Sequence, residues 1–104
     1  MEINAKSADR NLLLELCGEL DHHGARSAMR ELELAVDAAL PKKLVLDMTG
    51  VTFMDSSGIG VLIGRSRNLK FAGGEVVAIH LSPRVEQIFR LSGLHQMIRV
   101  EDEE

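Results

Sequence analysis

Two short stretches with apolar residues near the N-terminal end of the chain, separated by a polar segment, are candidate β-strands. The stretches cover residues 3–6 and 12–17, and the polar residues 8–11 between them have the length of a hairpin connection. The sequence therefore predicts a β-hairpin. The following segment 18–24 has glycine at both ends and is predicted to break the second strand.

A helical pattern follows the hairpin over residues 25–40, where apolar residues recur at spacings of three and four. Asp21 is a candidate N-cap, because its side chain can accept a hydrogen bond from a backbone N–H of the first turn. Pro41 is predicted to end the helix. The residues predicted to face the core are Ala25, Met29, Leu32, Val36 and Ala39 or Leu40.

Residues 44–48, which are apolar except for Asp47, are typical of a strand covered on both faces, and this strand is the predicted centre of the sheet. Residues 49–52 are predicted to form a loop. A second helix is predicted from about residue 57 to residue 70, and Gly73 and Gly74 are predicted to stop it. The residues of this helix expected to face the core are Ile59, Leu62, Ile63, Ser66 and Leu69.

The C-terminal third of the chain contains one more predicted helix between two predicted strands. The strands are residues 75–81 and 98–100, and the helix starts with Ser82 and Pro83 and stops at Gly93. The order ββαβαβαβ predicts an α/β fold, in which the hairpin and the later parallel strands form a small mixed sheet packed with about three to four helices. All 104 residues are expected to form a single domain.

Composition and charge narrow the class of function. The net charge of −4 and the acidic residues 101–104 argue against a nucleic-acid-binding protein, because phosphates are bound by clustered basic side chains. The single cysteine, Cys17, cannot form an internal disulfide, which predicts a reducing, cytoplasmic environment. No apolar run reaches the ~20 residues of a membrane span, so no membrane partner is expected.

The candidate chemistry lies at the start of the second predicted helix, in Asp55, Ser56, Ser57 and Gly58. A helix start presents backbone N–H groups without intrahelical partners, and these groups bind a capping side chain or an anion. Taken in isolation, the sequence Asp-Ser-Ser-Gly is explained most simply as a helix cap.

Glycines distinguish this helix from an ordinary one. Gly58, Gly60 and Gly64 lie in or beside it, and each interior glycine is less favourable than alanine by about 1 kcal/mol. Two explanations remain open at this point. Either the helix packs closely on its own sheet, or the glycines keep a smooth surface for the approach of another protein.

The serines can also be explained as phosphorylation sites. A phosphate would bring about −1.5 to −2 charges to a helix N-terminus, where the N–H groups and the helix dipole stabilise it. A partner that docks on this surface would then meet a dianion beside Asp55, and repulsion together with desolvation would abolish a contact of ordinary size. From the residues alone, Ser56 and Ser57 both remain candidate acceptors.

Four segments of the chain together resemble the STAS-domain anti-anti-sigma factors. They are Gly18-Glu19-Leu20-Asp21-His22-His23, residues 53–65 around the two serines, Gly73-Gly74-Glu75 and Ser92-Gly93-Leu94. The resemblance implies a cytoplasmic bacterial regulator that binds an anti-sigma factor, itself a serine kinase, and so frees a sigma factor for transcription. It also implies that a serine phosphatase reverses the phosphorylation.

The resemblance further implies roles for individual residues. In this family the second serine of the block is the phosphate acceptor, which is Ser57 here, with Ser56 as the alternative. ATP and metal belong to the partner kinase, so no cofactor is expected on this chain, which lacks a P-loop motif. The uncomplexed protein is expected to be a monomer. The expected partner surface consists of Asp21, Asp55, Ser56, Ser57, Ile59 and Gly60, with Arg65 further along the helix.

Two alternative functions use some of the same residues. Asp47 follows an apolar run and so resembles the acceptor aspartate of a receiver domain, but the acidic pair that a receiver carries after its first strand is missing. Ser56 or Ser57 could serve as the nucleophile of a small hydrolase, but the G-x-S-x-G motif is absent. Independent catalysis is therefore not expected.

Metal binding is the remaining alternative. His22 and His23 could act together with His80, His95 or Cys17, but no pair has the spacing of a zinc finger or of an H-x-x-x-H site. Adjacent histidines in a polar segment are more often solvated, so no metal is expected.

Overall fold

A mixed five-stranded sheet organises the protein in a computed structural model that describes residues 2–101, apart from the side chain of residue 25. The elements are β1 (Glu2–Ala8), β2 (Asn11–Leu20), α1 (His22–Ala39), β3 (Lys43–Met54), α2 (Ser56–Phe71), β4 (Glu75–Ile79), α3 (Pro83–Ser92), a short 3-10 helix (Leu94–Gln96) and β5 (Arg99–Glu101). The strand order is β1-β2-β3-β4-β5, with β1 antiparallel to β2 and the other pairs parallel. The predicted fold class, the hairpin and the central position of β3 are confirmed.

One face of the sheet forms the core together with the helices. Leu12, Leu44 and Val76 lie side by side across β2, β3 and β4, and all three are buried. Leu32 of α1 and Phe89 of α3 belong to the same buried cluster. Burying an aliphatic side chain of this size stabilises the fold by roughly 2 kcal/mol, so this aliphatic layer supplies most of the driving force.

The second face of the sheet is covered unevenly. Coverage on both faces was predicted for residues 44–48, but Val45 and Asp47 are only partly buried, so this prediction is wrong for β3. Double coverage is found in β4 instead, where Val76, Val77, Ala78 and Ile79 are all buried. Asp47 explains the difference, because a carboxylate on the second face needs solvent or hydrogen bonds.

The strands β2 and β3 extend further than the sequence predicted. Residues 18–20 continue β2, and residues 49–54 belong to β3 instead of forming a loop over 49–52. A side chain at Gly50 would place its Cβ 2.9 Å from the Leu16 carbonyl oxygen. Gly50 therefore permits close approach of two strands, and the pairing with β2, which contains register shifts, overrides the turn signal.

The core-facing residues of α1 differ from the prediction. Leu32 is buried as expected, but Met29 is 44% exposed and Leu40 is 79% exposed, while Ala28 is buried instead. The helix starts at His22, three residues earlier than predicted. The side of the helix that faces the core therefore includes the small side chain of Ala28 and not that of Met29. Ala25, the first residue predicted to face the core, has a side chain outside the described set.

Most residues of α2 that were predicted to face the core do so. Leu62, Ser66 and Leu69 are buried, whereas Ile59 and Ile63 are partly buried against the core. The buried residues that the pattern missed are Gly58 and Val61. Within residues 2–101, no helix combines the length and apolar character that a membrane crossing requires.

The predicted ends of α3 are confirmed. The Ser82 hydroxyl accepts a hydrogen bond from the Val85 N–H, Pro83 occupies the first helical position, and Gly93 has the left-handed φ of 83°. Strand β4 ends at Ile79, two residues earlier than predicted, because His80 takes a positive φ of 59° and turns the chain. Residues 102–104 of the acidic C-terminal segment lie outside the described residues.

Candidate functional site

Two helices begin side by side at the carboxyl ends of β2 and β3. Leu20 and Met54 end these parallel strands and are direct partners in the sheet. The next residues, Asp21 and Asp55, are the N-caps of α1 and α2. Side chains at the carboxyl ends of neighbouring parallel strands meet at one edge, which is the usual place for a site in an α/β sheet.

The Asp55 carboxylate holds both helix starts. Its Oδ1 accepts hydrogen bonds from the backbone N–H groups of Ser57 at 2.9 Å and Gly58 at 3.2 Å, as an N-cap does. Its Oδ2 accepts a hydrogen bond from the His22 N–H at 3.0 Å, and His22 is the first residue of α1. One side chain therefore satisfies N–H groups that two different helices leave without intrahelical partners.

Asp21 caps only its own helix. Its Oδ1 accepts a hydrogen bond from the Gly24 N–H at 2.8 Å. This hydrogen bond favours the charged form and lowers the pKa of Asp21 below its usual value of 3.8. The predicted cap is thus confirmed, and the site carries a carboxylate that remains ionised at neutral pH.

The two serines differ in exposure. Ser56 is exposed as the first residue of α2, whereas Ser57 is half-buried as the second. Neither hydroxyl makes a hydrogen bond to another group within residues 2–101, although the Ser57 backbone N–H is held by Asp55. Both serines lie in the first turn of α2, directly after its N-cap Asp55.

The glycines of α2 divide between the two explanations. A methyl group on Gly58 would overlap the carbonyl oxygen of Leu20 and would lie 2.6 Å from the Leu20 Cγ, so Gly58 is required for close packing on β2. A methyl group on Gly60 or Gly64 would meet nothing within 4 Å. The close-packing explanation holds for Gly58, and the other two glycines leave open space beside the helix.

The remaining residues of the expected partner surface do not all lie together. Gly60 is exposed one turn beyond the serines, while Ile59 is partly buried against the core. Arg65 lies ten residues beyond Asp55, or about 15 Å along the helix axis at 1.5 Å per residue. It forms an ion pair with Glu33 of α1 at 3.4 Å, and its side chain is 21% exposed. The structure therefore separates Arg65 from the helix start.

Asp47 lies away from this edge. Strand β3 continues for seven residues beyond it, so Asp47 is on the second face of the sheet and not at a strand end. Burial raises the pKa of Asp47, but hydrogen bonds from the Thr49 hydroxyl at 2.6 Å and N–H at 3.0 Å, and the His80 ring at 3.2 Å, bring the pKa below its usual value. Asp47 therefore belongs to a local hydrogen-bonded cluster with Thr49 and His80.

The histidines are spread over the molecule. His22 and His23 are exposed at the start of α1 with their rings 5.9 Å apart, whereas the His80 ring contacts Asp47 and the His95 ring contacts the Phe89 carbonyl. Among residues 2–101, no group of three or more His, Cys, Asp or Glu side chains is arranged to hold a metal ion. In the same range, no imidazole forms a hydrogen bond with the Ser56 or Ser57 hydroxyl.

The sequence interpretation missed the hydrogen bond between His22 and Asp55. A signal for it was present, because Asp21 and Asp55 each follow directly after the last apolar residue of a strand. Paired parallel strands bring such positions together, but the register of β2 and β3 includes irregularities that local patterns do not specify.

Comparisons with known proteins agree with this architecture. The family model of the STAS domain matches residues 2–104. An anti-sigma F factor antagonist from Paenibacillus polymyxa is 33% identical over 93 residues, which is 89% of this chain and 80% of the relative. The predicted resemblance is therefore confirmed over most of the chain.

Solved structures match the fold closely. The anti-sigma factor antagonist SpoIIAA in its unphosphorylated form has a TM-score of 0.82 and 28% identity, and the match covers 99% of this chain and 89% of that one. The phosphorylated form of SpoIIAA, a Bacillus cell fate determinant, has a TM-score of 0.75 and 27% identity, with coverage of 99% and 92%.

Proposed function

The chain belongs to the STAS-domain family, and on that premise we propose that it acts as an anti-sigma factor antagonist. In its unphosphorylated form it binds an anti-sigma factor and thereby releases a sigma factor. The relatives named above are called anti-sigma factor antagonists, and the match in sequence and fold extends over nearly the whole chain. The protein works as a binding module in the cytoplasm and not as an enzyme.

Ser57 is the proposed switch. The observation that carries this assignment is its place as the second residue of α2, with its backbone N–H bonded to the Asp55 carboxylate. Ser56, the alternative acceptor, is more exposed and directly follows Asp55 in the chain. The solved SpoIIAA structures include a phosphorylated form, which supports a phosphorylated state for this chain as well.

The physical basis of the switch is charge at a surface that a partner must cover. A phosphate on Ser57 adds about −1.5 to −2 charges at a helix N-terminus, which tolerates an anion. The same charges lie beside Asp55 and near Asp21, both on the proposed contact surface. A partner whose surface complements two carboxylates would have to desolvate a dianion in addition, so binding is lost while the fold is retained.

The proposed contact surface consists of the two helix starts and the exposed side of α2. It includes Asp21, Asp55, Ser56, Ser57, Ile59 and Gly60, with Gly60 leaving room for close approach. Arg65 lies further along α2 and is paired with Glu33, so it belongs to the margin of this surface.

The chemistry of the switch belongs to partner proteins. The anti-sigma factor acts as the serine kinase and brings ATP and metal, and a serine phosphatase removes the phosphate. With these roles given to the partners, the chain itself needs no cofactor. It is a single domain and remains a monomer until it binds the anti-sigma factor.

Incubation with the cognate anti-sigma factor and ATP tests the proposal. Intact-mass measurement should show the gain of one phosphate, and fragment mapping should place it on Ser57. Ser57→Ala should bind the anti-sigma factor but gain no phosphate, whereas the matched control Ser56→Ala should gain it normally. Phosphate on Ser56 in the wild type would overturn the assignment of the acceptor.

A binding measurement tests the switch itself. Ser57→Asp should bind the anti-sigma factor much more weakly than the wild type, because a fixed charge replaces the hydroxyl. Ser56→Asp controls for charge at the neighbouring position. Equal binding by wild type and Ser57→Asp would contradict a charge-based switch.

A further inference from the structure

The first turn of α1 depends on a side chain from α2. The backbone N–H of His22 has no partner within its own helix, and Asp21, the cap of α1, accepts from the Gly24 N–H. The His22 N–H donates instead to Asp55 Oδ2 at 3.0 Å, over a separation of 33 residues. A second hydrogen bond joins the same two regions of the chain, since the Asp55 N–H donates to the Leu20 carbonyl at 3.4 Å.

We propose that Asp55 is a positioning residue that fixes the first turn of α1 against the first turn of α2, so that phosphorylation of Ser57 also alters α1. This inference rests on the proposed modification of Ser57 and deepens it. The partner surface is then one unit built from two helix starts, and a single modification changes both halves.

Competition for the same N–H groups gives the mechanism. The Ser57 and Gly58 N–H groups both donate to Asp55 Oδ1. A phosphate on the Ser57 hydroxyl brings strong acceptor oxygens and negative charge into this first turn, where it repels the Asp55 carboxylate and competes for its donors. Displacement of the carboxylate also removes Oδ2 from the His22 N–H.

The consequence is a change on α1 at exposed residues. His22 and His23 are both exposed, and Asp21 immediately precedes them. Loss of the bond from His22 to Asp55 frees this segment to shift relative to α2. The partner would therefore lose the arrangement of the carboxylates of Asp21 and Asp55 in addition to meeting the new charge.

Amide exchange measured by NMR tests the coupling without any partner protein. Phosphoserine is installed at position 57 during synthesis of the chain, and exchange of the His22 N–H is compared with that of the unmodified protein. We expect exchange to be about tenfold faster in the modified protein, because the His22 N–H loses one hydrogen bond to a charged acceptor.

The variant Asp55→Asn should remove the hydrogen bond from the His22 N–H but keep the N-cap of α2. Asparagine caps a helix as well as aspartate does, but its amide has one carbonyl oxygen, which the two N–H groups of α2 occupy. In this variant, His22 exchange should be about tenfold faster even without phosphate, and phosphoserine at position 57 should add no further increase. Asp21→Asn is the matched control, in which the response of His22 to phosphoserine should persist.

Two results would overturn the inference. One is a His22 exchange rate that does not change with phosphoserine at position 57 in the wild type. The other is an equal response to phosphoserine in the wild type and in Asp55→Asn, which would show that the effect bypasses Asp55. Because no kinase is used, these outcomes are independent of whether an anti-sigma factor phosphorylates the chain.

Discussion

The starts of α1 and α2 look alike in the sequence but are built differently. Each follows the last residue of a parallel strand, Leu20 or Met54, and each has an aspartate N-cap. Asp21 uses one oxygen and stays within its own helix, whereas Asp55 uses both oxygens and reaches the neighbouring helix.

Packing shows the same asymmetry. Gly58 of α2 lies so close to Leu20 that a methyl group would overlap the Leu20 carbonyl oxygen. The start of α2 is therefore assembled against the end of β2 and the start of α1. A change in α2 is expected to disturb both helix starts, whereas a change at Asp21 is expected to remain local.

The largest effect is expected from Gly58→Ala. Its methyl group would collide with backbone of β2, which cannot move aside as a flexible side chain does, so the free energy of unfolding should fall by about 3 kcal/mol. Urea unfolding followed by circular dichroism measures this. The clash is with a carbonyl, so shortening the neighbour in Gly58→Ala/Leu20→Ala should not restore stability. An unchanged midpoint for Gly58→Ala would refute the close packing.

The two caps should differ in their contribution to stability. Asp55→Ala removes acceptors from two helices and should lower the free energy of unfolding by about 2 kcal/mol, which is more than the loss expected for Asp21→Ala. Both variants are measured by urea unfolding under the same conditions. Equal losses would mean that the bond from Asp55 to His22 contributes nothing to stability.

Gly60→Ala should act in the opposite direction to Gly58→Ala. A methyl group at this position meets nothing within 4 Å, and alanine is the better helix former, so stability should rise by up to about 1 kcal/mol. Thermal unfolding measures the change. The same variant tests the proposed partner surface, since a stabilised protein with weakened binding to the anti-sigma factor would place Gly60 in the contact.

The smallest effect is expected from titration of Asp21. The Gly24 N–H lowers the pKa of Asp21 in the folded protein below its usual value of 3.8. The stability that this carboxylate contributes is therefore present above its unfolded pKa of about 4 and is lost as pH falls through the lower folded value.

Urea unfolding of the wild type and Asp21→Asn between pH 7 and pH 2 isolates this contribution. The difference between their free energies of unfolding should be constant at neutral pH and should shift against the wild type in acid, because asparagine does not titrate. A difference that is independent of pH would show that Asp21 does not stabilise α1 through its charge.

Local chemistry in the sequence predicted the helix ends better than the strand ends. Asp21, Ser82, Pro83 and Gly93 have the predicted roles because capping depends on a few neighbouring residues. The ends of β2 and β3 were wrong because pairing between distant residues extends them. Glycine is common in turns, but Gly50 lies inside a strand.

The candidate site was predicted in part for the same reason. Asp55 and the serines were located correctly at the start of a helix, since the signal is local. The bond from Asp55 to His22 and the contact of Gly58 with Leu20 join residues that are more than thirty positions apart. Both depend on the register of β2 against β3, which no single segment determines.

The order of the strands in the sheet repeats their order along the chain. No strand has to enter between two strands that are already paired, so each new segment can add to the edge left by the preceding one as the chain emerges during synthesis. Strands that follow one another in the sequence are then neighbours in the sheet. The start of α2 depends on β2 in particular, because Gly58 packs directly on the Leu20 backbone.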